Sequence, residues 1–398
     1  KMSALHDESN HFMNWLKNDS EVKIDYPDID GNFFAPRKIY GRYIQELLLN
    51  TEKNTKAGIE LVKLNEEAID INPQNSFTEI ELINGSKITA DKVVIAPGNY
   101  PPANPNISNP LFYHHPKYFQ NPWSPEIFTS YQVQEDILLI GSGLTMIDIV
   151  LSLKENSHQG NIYIISPHGY LPQSHKLVEP YPAFISEKGL PKTALEIFRM
   201  VKKEVDKAGK KGIDWRSVID SIRPFTQQIW GGLSVEEKKK FMRYLRHRWG
   251  VLRHRVSQEI FSIFSSMLES GQIKVFAGRI TSFEELESII KVSYKERKTG
   301  NTAFLTVDRI INCTGPETNF EKISTPLVIN LRKRGLIKTD PLYLGLETTT
   351  DGALIDSGGK ESRMIYTLGP TLKSIFWESV AIPELRVQAA NLAEVLLK

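Results

Sequence analysis

Apolar positions along this chain alternate between a spacing near 3.6 and a spacing of two, and each change of period marks an element. In PRKIYGRYIQELLLNTEKN, Pro36 suits a first helical turn, and Ile39, Tyr43, Ile44, Leu47 and Leu48 recur on one predicted face. The segment that follows, IELVKLNEEAIDINPQNSFTEIELINGSKITADKVVIAPG, reads as a strand and then a hairpin turning at Asn84-Gly85. A β-branched strand Lys92–Ile95 closes it and ends at Pro97-Gly98. The same grammar returns in IKVFAGRITSFEELESIIKVSYKERKTGNTAFLTVDRIINCTG. There the turn is Thr299-Gly300-Asn301 and the last strand is Arg309–Asn312. The closing lines align as ADKVVIAPG and VDRIINCTG. A repeated strand, hairpin, strand and glycine unit predicts two copies of one domain type.

Between the copies lies DILLIGSGLTMIDIVLSL, a buried strand, a glycine turn and a helix. Residues 176–260 interrupt the second copy with three segments of helical period, the last running through SVEEKKKFMRYLRHRWGVLRHRVSQEIFSIFSSMLESG. Ser234 is placed as its N-cap and Glu237 at the capping-box position. The fold class predicted is α/β, with two Rossmann-like dinucleotide-binding domains. One is discontinuous (1–104 and 316–398), and the other (105–315) is inserted in it and carries the helical insertion. The joins are expected in the Pro-rich YPPANPNISNP and just after Gly315.

Composition changes this picture little. The chain has 398 residues, 40% hydrophobic and 24% charged, with a formal net charge of +2, so no bulk charge argues for a nucleic-acid partner. No apolar run reaches the ~20 residues of a membrane span. The single cysteine, Cys313, forbids an internal disulfide and a CxxC pair, which suits a reducing, cytoplasmic setting. Lysine runs in the insertion (Lys202-Lys203, Lys210-Lys211, Lys238–Lys240) read as solvated helix faces, and so does Arg253-His254-Arg255, with an acidic substrate as the alternative. No metal-spaced Cys/His cluster, HExxH or GxSxG is present. His114 and His115, adjacent in the chain, make a poor chelate and read as structural.

The glycine turn carries the clearest chemistry. Gly141 suits the tight turn, and Gly143 lets a pyrophosphate approach the backbone at a helix N-terminus. Met146 replaces the third glycine, a position that governs packing rather than phosphate contact. The next strand, NIYIIS, ends at Ser166, where a site for NAD would place an acid. SPHG stands there instead, which favours NADP, with Ser166 and His168 accompanying a 2′-phosphate and Lys176 nearby. His168 suits a plain turn equally well.

Taken together, KMSALHDESNHFMNWL, PRKIYGRYI, VVIAPGNYPP, NPWSP, LIGSGLTMID, INCTGPE and YTLGPTLKSIFWESVAIPELRVQAANLA resemble the FAD/NAD(P)-binding flavoproteins of the branch that includes FAD-dependent urate hydroxylase and aspartate N-monooxygenase. The likeness to flavin-containing monooxygenases is more distant. The resemblance covers essentially the whole chain. It implies that a strand, a GxGxxG turn, a helix and a second strand holding the ADP part of FAD precede MSAL and lie outside this sequence.

By position in the motifs, it places Met2 and Ser3 beside the flavin, with Arg37 and Tyr40 near the FAD pocket. Pro97, Gly98 and Asn99 fall on a strand end close to the cofactor. Gly141, Ser142, Gly143, Leu144 and Thr145 form the NADP loop, and Gly369-Pro370 precede Trp377. The helix near Pro383 directs its N-terminus at the flavin pyrimidine, where reduced flavin carries negative charge. Trp377 also suits a core, Arg37 an ion pair with an acid such as Glu46, and Glu384 a first-turn helix acid. Where the family commonly has arginine after the second-strand serine, this chain has Pro167-His168.

The activity implied is an NADPH- and FAD-dependent monooxygenase acting on a small polar, nitrogen-containing molecule. A reductase passing electrons to a quinone or protein, and a nucleotide-binding protein without catalysis, are the alternatives. Paired cysteines of the thioredoxin-reductase kind are excluded by the single Cys313.

Overall fold

In the computed structural model, which describes residues 2–31 and 33–398, the chain divides into two units, Lys1–Gly98 with Thr318–Lys398, and Asn99–Glu317. The joins thus fall at Gly98, ahead of the Pro-rich stretch, and at Glu317. The first unit opens with helices α1 (His11–Asn18), α2 (Ser20–Asp25) and α3 (Arg37–Lys53), with Pro36 at the N-cap of α3. Only part of the predicted α3 face is covered. Ile39 and Tyr43 are buried with Phe12, Leu16 and Val22, and Leu47 packs against them. Ile44 and Leu48 stay 38% and 46% exposed, because a helix as short as α1 shields only a narrow stripe.

Strands β1 (Ala68–Pro73), β2 (Thr78–Leu82) and β3 (Lys87–Ala90) form an antiparallel sheet, and Gly85 turns the β2–β3 hairpin at φ +83°. β4 (Val93–Ile95) then leaves this meander.

The second unit contains β5 (Tyr118–Phe119), β6 (Ile137–Ile140), α4 (Leu144–Glu155) and β7 (Ile162–Ser166). Helices α5 (Phe184–Lys188), α6 (Ala194–Gly209), α7 (Trp215–Ile222), α8 (Thr226–Gly232), α9 (Val235–Tyr244), α10 (Arg246–Arg253) and α11 (Gln258–Glu269) follow. Strands β8 (Ile273–Leu286), β9 (Ile289–Glu296), β10 (Thr302–Val307) and β11 (Arg309–Asn312) complete it.

The sheet order is β10-β9-β8-β7-β6-β11-β5, parallel from β8 to β5 and antiparallel from β8 to β10. β6 is buried on both faces, as a parallel strand between two layers must be. Ile137 and Leu139 face α4 and α11, while Leu138 and Ile140 face a second core shared with the meander.

The long predicted helix after Ser234 is three helices. Val256 bridges to Ser174, and its N–H donates to the Gln173 carbonyl (3.0 Å), so the backbone cannot remain helical there. Ser257 then caps α11, which packs on the sheet side. Ser234 does cap α9, accepting from the Glu237 N–H, but Glu237 does not close a reciprocal box. Its carboxylate accepts from the Ala194 N–H (2.8 Å) at the start of α6 and pairs with Lys240. The remaining helices of the insertion enclose their own core around Phe184, Val218, Ile219 and Ile222.

Returning to the first unit, α12 (Pro326–Lys333), β12 (Ala353–Ile355), β13 (Glu361–Thr367) and α13 (Ile382–Leu396) follow, with sheet order β12-β13-β4 and β4 parallel to β13. The repeat read from the sequence is therefore structural. In each unit a three-stranded antiparallel meander delivers a short strand into a parallel pairing, β4 with β13 and β11 with β6. The two matched basic residues do different work. Lys92 donates to the Arg363 carbonyl. Arg309 is buried and pairs with Glu135 (2.6 and 3.2 Å) while donating to the Ile127 carbonyl (2.8 Å).

Candidate cofactor sites

β6 hands the chain to Gly141, whose φ is +103° and whose Cβ, if present, would stand 2.7 Å from the Cys313 carbonyl oxygen at the end of β11. Dihedral and space both require glycine there. Gly143 is the N-cap of α4, with nothing within 4 Å of where its Cβ would be and no side-chain cap on the helix. The first-turn N–H groups, those of Leu144 and Thr145 among them, have no acceptor within the helix, so this end offers donors and partial positive charge to an anion. Met146 is fully buried in the core under α4, the packing role expected of it.

Ser142 and Ser166 hold the chain locally. The Ser142 hydroxyl donates to the Tyr170 carbonyl (2.6 Å) and lies 2.9 Å from the Ser166 oxygen, which accepts from the Gly169 N–H (3.0 Å). Together they fasten the turn after β7, with Gly169 at φ +66°. His168 leaves that turn to stack on Tyr170 (5.2 Å between centroids, 12°) and meets His247 of α10 at 4.6 Å.

Burial, then Arg297, Arg279 and Arg248, hold the His168 imidazole below its ordinary pKa, and its Nδ1 is buried with no hydrogen-bond partner among the described residues. Burial, then Arg246, His168, Arg279 and Arg297, push His247 down to about 4. Lys176 does not join this cluster; it pairs with Asp214 at the start of α7 (3.4 Å).

A cavity of about 820 Å³ opens here, between the ends of β6 and β11 at Gly141 and Thr314 and the end of β7 at Ser166-Pro167. Its other wall is the meander, with Arg279, Lys295, Glu296 and Arg297. Arg297 also donates to the Pro167 carbonyl (3.3 Å). Sequence reasoning missed Arg279 and Arg297. The signal was the topology: β8 lies beside β7, so residues past the β8–β7 pairing flank the turn after β7. These cations flank the turn at Pro167-His168. The site fits a dinucleotide that carries an extra phosphate.

In the first unit, β4 and β13 end at the same edge, and the loops at Ala96–Gly98 and Leu368–Pro370 emerge there. Thr367 on β13 donates to the Ile95 carbonyl (2.6 Å). Gly369 is buried at φ +81°. Its N–H donates to Gln388 Oε1 of α13 (2.9 Å), and its carbonyl accepts from Ser379 (3.1 Å). Arg386, also on α13, donates to the carbonyl of the fully buried Ser3 (3.2 Å), and the Ala4 N–H meets the Tyr43 hydroxyl (3.2 Å).

Ser3, Tyr40, Gly369 and the helix containing Pro383 are thus brought into one neighbourhood. Tyr40 is pushed up to about 12 by burial and by Tyr43, against the lowering effect of Arg386. Among the described residues its hydroxyl, Arg386 Nε and Gln388 Nε2 are buried and lack hydrogen-bond partners. Three orphaned polar atoms around one loop fit a polar ligand such as the flavin. Pro383 lies in the first turn of α13, Pro370 follows the Gly369 turn, and Trp377 is buried under Lys373. Met2 and Arg37 are exposed, and Glu46 accepts from Trp15 (2.7 Å). Gly98 (φ +67°) and Asn99 are exposed at the division between the units.

Two of the other singled-out residues are held by neighbours within the protein. His115 stacks on Phe112 and pairs with Glu285 (3.2 Å), while Arg255 pairs with Asp220. Among the described residues no cluster of three His, Cys, Asp or Glu is arranged for a metal, and no helix is long and apolar enough to cross a membrane. Burial raises the Cys313 thiol far above its ordinary pKa, which makes it unreactive.

Residues 1–100 match the FAD-NAD(P)-binding family model, about a quarter of the chain. No curated protein sequence matches it. Among solved structures, the chain is similar to ornithine hydroxylase from Pseudomonas aeruginosa at 16% identity and TM-score 0.60, covering 98% of this chain and 83% of that one. It is similar to the Kutzneria ornithine N-hydroxylase, solved with reduced FAD, NADP⁺ and L-ornithine, at 14% identity and TM-score 0.61, covering 97% and 82%. The bacillithiol disulfide reductase of Staphylococcus aureus is also similar, at 12% identity and TM-score 0.51, covering 93% and 79%. These likenesses establish the fold, that of two-unit flavoproteins in which a second nucleotide-binding unit is inserted in the first.

Proposed function

We propose that this protein is an NADPH- and FAD-dependent monooxygenase acting on a small polar, nitrogen-containing molecule, in the branch that includes FAD-dependent urate hydroxylase and aspartate N-monooxygenase. The observation that carries the proposal is one cofactor-type site in each unit: the open glycine turn under Arg279 and Arg297, and the orphaned polar groups around Gly369. When bound, flavin supplies the hydride acceptor and the means of activating dioxygen. The chain's own residues bind and orient. Gly141 and Gly143 bring the backbone to the pyrophosphate, and Leu144 and Thr145 offer first-turn N–H groups. Arg279 and Arg297 meet the 2′-phosphate, with His168 and His247 beside it.

In the first unit, Tyr40, Arg386 and Gln388 have hydrogen-bonding capacity left for the flavin, and the N-terminus of α13 favours its negative reduced form. Met2, Arg37, Pro97, Asn99 and Trp377 remain proposed contacts of that cofactor. The single buried cysteine argues against dithiol transfer and suits the reducing cytoplasm as the setting.

The test is to record a flavin spectrum of the purified protein and then follow NADPH oxidation across a panel of amines and purines under ¹⁸O₂. Oxidation that rises with one compound and yields a product bearing the label is the expected result. Turnover with quinones and no label in any product would overturn the monooxygenase reading.

A further inference from the structure

The helical insertion carries charge out of proportion to the chain. Residues 176–260 hold 19 Lys and Arg against 10 Asp and Glu, a net +9; with +2 for the whole chain, the remainder carries −7. In this basic region α6, α7, α9 and α10 surround a groove of about 440 Å³, within the range of about 300–1,000 Å³ typical of small-molecule sites. Its walls are aromatic and aliphatic, including Phe198, Val201, Val205, Trp215 and Trp249, and its polar residues are Gln173, Lys202 and Arg248. Arg248 lies over the Phe198 ring at 5.9 Å, and among the described residues neither it nor Lys202 has a carboxylate within ion-pair distance. An apolar trough with unneutralised cations is complementary to one chemistry, an apolar body ending in an anion.

We propose that this groove is a binding site for a small amphiphilic anion, an aliphatic or aromatic carboxylate, with its body against Trp215 and Trp249 and its carboxylate at Arg248 and Lys202. The proposal is independent of the flavin chemistry, since no residue lining the groove belongs to either cofactor site described above. The two cations of the groove, Lys202 and Arg248, stand on α6 and α10.

The probe is decanoate, titrated into the full chain and followed by tryptophan fluorescence and calorimetry, with decanol and octanoate as comparators. Saturable binding at one site is expected. Decanol should bind at least tenfold more weakly, since it forfeits the charge-assisted contact. Octanoate should bind about tenfold more weakly, since it lacks two buried CH₂ groups. Arg248→Gln should bring decanoate affinity down to that of decanol, and Val205→Phe should abolish binding while far-ultraviolet circular dichroism and melting temperature stay native. Three results would overturn the proposal: decanol binding as tightly as decanoate, Val205→Phe binding normally, or a concentration-dependent dimer that Val205→Phe dissociates, which would assign the groove to a second copy. If Val205→Phe fails to fold, Arg248→Gln and the chain-length series decide.

Discussion

Arg279→Gln isolates the basis of cofactor choice. Among the described residues the Arg279 side chain has no hydrogen bond or ion pair, so its replacement should leave the fold intact, whereas Arg297 also holds the Pro167 carbonyl. A little-screened charge-assisted hydrogen bond to phosphate contributes about 1.5–3 kcal/mol. Both arginines are exposed, and water screens them, which leaves about 1 kcal/mol for each. His168 and His247 add little at neutral pH, because both imidazoles are held neutral. Arg279→Gln should therefore weaken NADP⁺ binding about fivefold, and the double variant with Arg297→Gln about thirtyfold, with NAD⁺ nearly unchanged. Titration calorimetry with both nucleotides at low and high ionic strength measures this, and the gap between them should shrink in high salt. Equal losses for NAD⁺ and NADP⁺, or none for either, would refute the assignment of these arginines to the 2′-phosphate.

Other consequences follow from the same geometry. Glu135→Gln leaves the Arg309 guanidinium buried without its carboxylate and should cost about 3 kcal/mol, a fall in melting temperature of about 6–12 °C, which Arg309→Met with Glu135→Leu should restore. Gly141→Ala should cost about 2 kcal/mol or more, from positive φ and the Cys313 carbonyl, and should remove nucleotide binding; unaltered melting and binding would contradict the turn geometry. Tyr40→Phe should stabilise the flavin-free chain by about 1 kcal/mol, by removing an unsatisfied hydroxyl, yet weaken flavin retention; a variant that retains flavin as well as wild type would detach Tyr40 from that site.

His247 titrates near 4 when folded and near 6.5 when unfolded, so between these values the unfolded chain binds more protons. Stability should fall as pH drops through that window, and His247→Gln should flatten the decline in denaturant midpoints.

The glycine turn, the role of Met146, the repeated meander and the cap at Ser234 were legible because each rests on local spacing. The helix break at His254 was not, since the bridge of Val256 to Ser174 is made by a distant segment. The long reach of Glu237 to α6 was hidden for the same reason, and the apolar face of α3 was overestimated because the sequence does not show how narrow α1 is. Of the candidate site, the backbone elements were readable. The cations were not, because Arg279 and Arg297 come to the cavity beside Pro167 only through strand order, and the bond from Ser142 to the Tyr170 carbonyl depends on the turn after β7.

β8 runs without interruption from its parallel pairing with β7 to its antiparallel pairing with β9, and the exchange occurs at Gly278, where a Cβ would stand 2.8 Å from the Lys295 carbonyl. Arg279 is the next residue. The strand is thus a cantilever: anchored in the nucleotide core at one end, it holds a charge just past its last parallel pair. On the proposed function, cofactor preference is a property of this ribbon, and it can drift or be redesigned by exchanging the meander while every residue of the phosphate loop stays as it is.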